Sequence, residues 1–175
     1  FEELYEYRGA SGKFAALIQL RPGPAPWLHR LLNRGPWVGA EIVYLDLDVI
    51  QEKGFRLEEN LEALDDVMGL KEVGLAGRSL TDDKLVSLTV LRALETLKIS
   101  DASVTGRGLG ELTKLKSLSI GGDCPSFGEE GILQIAKIRG LESLQIGTEI
   151  SDAALGGLKT LPRLKMLYAS FAKMS

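Results

Sequence analysis

The sequence predicts an α/β repeat protein in which strands alternate with short helices. The clearest copy of the repeat is residues 81–99, TDDKLVSLTVLRALETLKI, where apolar residues come three apart and finally two apart. A spacing of three is typical of one helix face or a tight connection, and a spacing of two is typical of a strand. The same spacing occurs in four other segments, at residues 61–75, 109–120, 132–146 and 155–169. Such a recurrence at intervals of 20 to 30 residues indicates a repeat architecture.

Composition and charge limit the classes of function. The chain has 175 residues, of which 45% are hydrophobic and 26% charged, which is enough for one domain with a core. The net charge of −3 gives no electrostatic basis for binding nucleic acid or an anionic membrane. The longest apolar runs, such as residues 14–18, are too short for insertion into a bilayer. Because the chain begins with Phe1 rather than Met, we expect a fragment, and an upstream signal or membrane anchor would not be visible.

The first 40 residues are interpreted as an N-terminal extension and cap. A short helix is expected near residues 1–5, where Leu4 and Tyr5 follow Phe1. A strand is expected at residues 14–20, because this run is apolar and follows a glycine-containing turn.

The second half of this extension is predicted to close the first repeat. Prolines at alternate positions, 22, 24 and 26, favour an extended path, and a short helix is expected over residues 26–32. A repeat array leaves the core of its first unit open. Trp27 and Trp37 are the predicted cover.

Residues 41–175 are predicted to form the repeat domain, with about six strands. The first strand is placed at residues 42–47, with Ile42, Leu45 and Leu47 pointing inward, and a helix follows over residues 57–68. Five more strands are expected from the pattern L-x-x-L-x-L and its variants. They begin at residues 70, 94, 115, 141 and 164, so the steps from residue 42 are 28, 24, 21, 26 and 23 residues.

Hydroxyl residues precede the predicted helices. Thr81, Thr105 and Ser151 are expected to be N-caps, because a side-chain oxygen can accept a hydrogen bond from an otherwise unpaired helix N–H. Asp82, next to Thr81, is expected to act as first-turn charge favoured by the helix dipole. In the third copy, the segment at residues 127–130 takes this place without a hydroxyl.

The combination of L-x-x-L-x-L with a following hydrophobic-(Thr/Ser)-Asp segment resembles the leucine-rich repeat family. The nearest subtype is the cysteine-containing-like kind, as in F-box-type proteins and in uncharacterised bacterial, planctomycete-like proteins. This resemblance implies a right-handed solenoid with a parallel sheet on the concave face and short helices on the convex face. One departure is that Arg78, Ala102, Asp123 and Glu149 stand where the family usually has Asn or Cys.

The concave face is the surface on which we expect a protein partner. In L-x-x-L-x-L the leucines face the core, so the third, fifth and seventh positions face outward. The predicted partner-binding residues are Tyr44, Asp46, Asp48, Glu72, Thr96, Lys98, Gln145, Met166 and Tyr168. Aromatic anchors dominate interface energetics. A plain solvated face around Tyr44, or a cap formed by Met166 and Tyr168, is the alternative interpretation.

The motifs that suggest catalysis have simpler explanations. His29 has no partners for a triad or a metal site, and Cys124 has no base nearby and no second cysteine for a disulfide. The segment GRGLG at residues 106–110 lacks the lysine and spacing of a phosphate loop. We therefore predict no catalytic residue, no metal and no cofactor. The predicted function is a noncatalytic protein–protein interaction module. The alternative is a structural spacer or partial repeat array of a larger, possibly membrane-tethered protein.

Two further expectations concern the order and the end of the array. The second positions alternate in charge, through Lys71, Glu95, Lys116, Glu142 and Lys165, and are expected to stack as a ladder along the sheet. The edge of the last strand is expected to be covered in one of two ways. Either Phe171 and Met174 fold back as a lid, or two copies meet there as a homodimer.

Overall fold

The computed structural model describes the backbone at residues 3–8, 14–21, 38–46 and 70–171. The strands are β1 (Glu3–Arg8), β2 (Phe14–Arg21), β3 (Val38–Asp46), β4 (Glu72–Ala76), β5 (Thr96–Ser100), β6 (Ser117–Gly121), β7 (Ser143–Ile150) and β8 (Met166–Phe171). The α-helices are α1 (Asp82–Ser87), α2 (Glu129–Ile135) and α3 (Asp152–Leu158). Two 3₁₀ segments lie at Leu88–Val90 and Leu109–Glu111.

The strands form one sheet in which spatial order follows chain order. β1, β2 and β3 pair antiparallel, and every pairing from β3 to β8 is parallel. Between β4 and β8, each connection carries a short helical segment. The predicted α/β class, with a parallel sheet and short helices, is therefore confirmed for the strands β4 to β8. Each strand–helix unit adds one strand beside the previous one, so equivalent positions lie in rows across the sheet.

The core lies on one face of this sheet. Residues at the first, fourth and sixth repeat positions are buried from β4 to β7, and the central Leu118 is 1% exposed. They form one cluster with helix residues such as Leu85, Ile132 and Leu158. The predicted inward positions are confirmed in these repeats, because strand side chains alternate between faces and only one face meets the helices.

The chain turns in the same way after three consecutive strands. Gly77, Asp101 and Gly122 directly follow β4, β5 and β6 and have positive φ angles of 111°, 52° and 62°. Glycine adopts such angles without steric cost, and aspartate is among the few other residues that tolerate them. These residues have a left-handed backbone conformation and follow the last residue of each strand. The three strands therefore end at the same row of the sheet.

The N-terminal prediction is half right. The strand expected at residues 14–20 is present as β2, but the short helix expected near residues 1–5 is wrong, because residues 3–8 form β1. Aromatic residues such as Tyr5 and Tyr7 favour strands, and residues 3–8 pair antiparallel with β2. The expected helices at 26–32 and 57–68, and both tryptophans, lie outside the described residues.

The three predicted N-caps have three different outcomes. Ser151 is confirmed, because its hydroxyl accepts a hydrogen bond from the Ala154 N–H. Thr81 occupies the N-cap position of α1 but makes no side-chain cap hydrogen bond. Thr105 is not an N-cap. The repeat that contains Thr105 is the shortest, and its helical segment is only a 3₁₀ turn that begins after Gly108 (φ 92°).

Candidate functional site

The candidate site is the sheet face opposite the core. Pairing places the third repeat positions in one row and the fifth positions in a neighbouring row. The third-position row is Glu72, Thr96, Ser117, Ser143 and Met166, and the fifth-position row is Gly74, Lys98, Ser119, Gln145 and Tyr168. All of these except the buried Gly74 are half-buried or exposed. Among the described residues, the side chains of this face therefore reach the protein surface.

An ion pair occupies the β4–β5 end of this face. The Lys98 ammonium lies 2.7 Å from a carboxylate oxygen of Glu72, and the Glu72 side chain is only 21% exposed. The structure thus brings together two of the predicted partner-binding residues. Because each neutralises the other, this end of the face offers paired charge and not a purely acidic patch.

The middle of the face is small and polar. Thr96, Ser117, Ser119 and Ser143 present short hydroxyl side chains on three adjacent strands, and Gln145 is exposed beside them. Such residues accept and donate hydrogen bonds but bury little apolar area. They supply hydrogen-bonding groups to a partner more readily than anchoring contacts.

The β8 end of the face is apolar. Met166 and Tyr168 are 50% and 64% exposed, and the fifth-position row places Tyr168 beside Gln145. Leu167, between them in sequence, is 42% exposed, although its row partner Leu144 is fully buried. Two large apolar side chains, Met166 and Tyr168, are therefore exposed at this end of the face.

Two first-strand residues of the predicted site, Tyr44 and Asp46, lie in a register shifted by two residues from the expected one. The prediction aligned Tyr44 with the third position, but β3 pairs Tyr44 with Gly74 and Asp46 with Ala76. Ile42, predicted to be a core residue at the first position, pairs with Glu72. A shift of two residues preserves the alternation of faces, so the sequence pattern alone did not detect it. Asp48 lies outside the described residues.

The predicted charge ladder is present at two steps. Ammonium nitrogens of Lys116 and Lys165 lie 2.7 Å from carboxylate oxygens of Glu95 and Glu142, respectively. The hydrogen bond and the charge of Lys165 lower the pKa of the Glu142 carboxyl. Backbone hydrogen bonds join the same neighbouring repeats. The Glu95 carbonyl accepts hydrogen bonds from the N–H groups of both Lys116 and Ser117.

A second set of contacts between repeats was not predicted. The Asp82 carboxylate accepts hydrogen bonds from the Thr105 N–H, the Thr105 hydroxyl and the Gly106 N–H, at 2.9 to 3.2 Å. Further along, the Ser151 hydroxyl lies 2.8 Å from a Glu129 carboxylate oxygen. An acidic residue at the start of one helix thus binds the hydroxyl residue of the next repeat. The recurring Thr/Ser–Asp motif in the sequence could have indicated these contacts between repeats, but it was interpreted only as local helix capping.

Cys124 lies in the loop that follows β6, and its side chain is buried in the core. It is 1% exposed, and its sulfur lies 3.3 Å from the Gly121 carbonyl oxygen. Burial raises the pKa of the thiol, which opposes nucleophilic reactivity at neutral pH. The preceding residue, Asp123, is exposed and pairs with Arg78.

Other arrangements for chemistry can be assessed within the described residues. No group of three or more His, Cys, Asp or Glu residues there is arranged to hold a metal ion. Leu109, inside the glycine-rich segment, is fully buried in the core. A cavity of about 110 Å³ between the β4–β5 and β5–β6 connections, lined by Leu91 and Lys114 among others, is smaller than typical small-molecule sites. No described helix has the length and apolar character needed to cross a membrane.

No protein-family model matches the chain, and a search of curated proteins finds no significant match.

Proposed function

We propose that this chain is a leucine-rich repeat solenoid that acts as a noncatalytic protein-binding module. The repeat resemblance supports a right-handed array with the sheet on its concave face. The rows of equivalent positions and the buried Cys124 are consistent with this family pattern. The partner is a protein whose identity the chain does not specify.

The observation that carries this proposal is the sheet face opposite the core, whose described side chains change from an ion pair at one end to apolar residues at the other. Glu72 and Lys98 stand at one end, hydroxyl residues in the middle, and Met166 and Tyr168 at the other end. Interfaces commonly combine an aromatic anchor with a polar rim. The face offers both on a rigid, hydrogen-bonded sheet.

Partner capture with matched variants tests this proposal. The chain, its Tyr168→Ala variant and its Leu133→Ala variant are used as bait, and captured proteins are quantified by mass spectrometry. Leu133 is a suitable control because it is 61% exposed but belongs to helix α2. We expect Tyr168→Ala to lose a protein that Leu133→Ala retains. A purely structural spacer gives the opposite result, with no captured protein that depends on Tyr168.

A further inference from the structure

The three inner strands β5, β6 and β7 present hydrogen-bond donors and no carboxylate on the face opposite the core. We call the third and fifth repeat positions of these strands the central face. They are Thr96, Lys98, Ser117, Ser119, Ser143 and Gln145. Hydroxyl and amide groups both donate and accept hydrogen bonds, whereas an ammonium group only donates. Every side chain of the central face can therefore bind a ligand that supplies acceptors.

The charges in and beside the central face have the lysine outermost. Three ion pairs lie in or directly before the strands β4 to β8, and in each the lysine side chain is more exposed than its partner. They are Glu72–Lys98, Glu95–Lys116 and Glu142–Lys165. Lys98, the charged member of the central face, is 47% exposed, whereas Glu72 is 21% exposed. A partner that approaches this face therefore meets ammonium groups before carboxylates.

The fifth-position row brings three of these donors together. Lys98 pairs in register with Ser119, and Ser119 pairs with Gln145. Adjacent strands of a sheet lie about 4.8 Å apart, so one segment that crosses the strands can contact all three side chains. Nucleic acid is a less suitable anion for this row, because its binding depends on many Lys and Arg contacts and the central face holds one lysine.

We propose that the central face binds an acidic segment of a partner protein, with carboxylate oxygens accepting hydrogen bonds from Lys98, Ser119 and Gln145. This inference rests on the proposed function, because it states the chemistry of the partner on the same sheet face. Complementary charge across an interface selects the partner and fixes its position more than it raises the affinity.

Binding of matched model peptides tests the proposal. The probe is a capped, fluorescent peptide of alternating Glu and Gly, and the comparison peptide has Gln in place of each Glu. The net charge of −3 on the chain repels the acidic peptide at long range, so a preference for this peptide must come from a local site. We expect the acidic peptide to bind about two- to fivefold more tightly at low salt, as one exposed charged contact allows. In an NMR titration, the amide signals of Lys98, Ser119 and Gln145 should shift.

Two pairs of variants locate the preference. Ser119→Asp places a carboxylate in the centre of the row and should abolish the preference, whereas the uncharged Ser119→Asn should retain it. Lys98→Met should reduce the preference, because it removes the ammonium donor and leaves Glu72 without this partner. Lys137→Met removes the same charge from an exposed position after helix α2 and should leave the preference unchanged.

Three results would overturn the proposal. The first is equal affinity of the wild-type protein for the two peptides. The second is the same preference in Ser119→Asp and Ser119→Asn proteins that circular dichroism shows to be folded. The third is tighter binding of a short single-stranded DNA than of the acidic peptide with the same amide shifts, because phosphate would then be the preferred ligand. Equal peptide affinities together with capture of a Tyr168-dependent protein would reject the acidic preference alone and leave the proposed function intact.

Discussion

Replacing Asp82 by alanine should destabilise the protein through the junction between two repeats. The carboxylate accepts hydrogen bonds from three groups of the next repeat, including the N–H of the buried Gly106. A buried donor left without an acceptor costs about 1–3 kcal/mol, and hydrogen bonds to a charged group are at the stronger end. Loss of negative charge in the first turn of α1 adds about 0.3–1 kcal/mol. The expected total is about 2–4 kcal/mol.

Asp83→Ala is the matched control. Asp83 lies in the same helical turn and is exposed, so its removal changes the helix-dipole interaction but leaves the Thr105 junction in place. Its expected cost is below about 1 kcal/mol. The two variants should therefore differ by the junction contribution of about 2 kcal/mol, which for a domain of this size corresponds to roughly 4–8 °C in melting temperature.

Urea unfolding followed by circular dichroism, together with thermal melting, measures both variants. Equal midpoints for Asp82→Ala and Asp83→Ala would refute the reasoning, because the junction would then contribute nothing beyond the shared charge effect. A Thr105→Ala change combined with Asp82→Ala should cost less than the sum of the two single changes, since both remove the same contact.

Three other predictions follow from the core and the ladder. Leu118→Asp places an unpaired carboxylate at a position that is 1% exposed, so it should cost several kcal/mol in urea unfolding; a parental midpoint would show that the strand register is wrong. Glu95→Lys breaks its ion pair with Lys116 and should lower the melting temperature more at low salt than at 1 M salt; equal losses would argue against the ladder. Because Lys165 lowers the folded-state pKa of Glu142, the stabilisation by this pair is complete above the unfolded pKa and is lost as pH falls through the folded pKa. An NMR titration in which Lys165→Met leaves the Glu142 pKa unchanged would contradict that assignment.

The buried rows of the sheet could be predicted because leucine spacing reports directly on burial. Leu97, Leu118 and Leu144 lie where the repeat pattern placed them, since a strand with one covered face has a period of two. The start of the array could not be predicted in the same way. Moving β3 by two residues keeps its alternation, so only pairing with β4 fixes whether Tyr44 joins the row of Glu72 or that of Gly74.

Contacts between repeats were harder to predict from the sequence than the buried rows of the sheet. Asp82 has the sequence context of helix-capping charge, and no local rule indicates that it binds Thr105, 23 residues later. The burial of Cys124 was likewise not predicted, because the sequence pattern aligned its neighbour Asp123 with the repeat position. In both cases the decisive information is the distance between segments far apart in the chain. The exposure of Tyr168, by contrast, follows from its outward-facing position and was predicted.

The most direct test of the proposed binding face is site-specific photo-crosslinking. A photoreactive residue at position 119, in the centre of the face, is compared with one at position 133 on helix α2. Ser119 is half-buried and lies two strands from β8, so this position reports on the face and not on the β8 edge. We predict a discrete covalent adduct with a partner protein from position 119 and none from position 133. Adducts of equal yield from both positions, or from position 133 alone, would contradict the assignment of the sheet face as the binding surface.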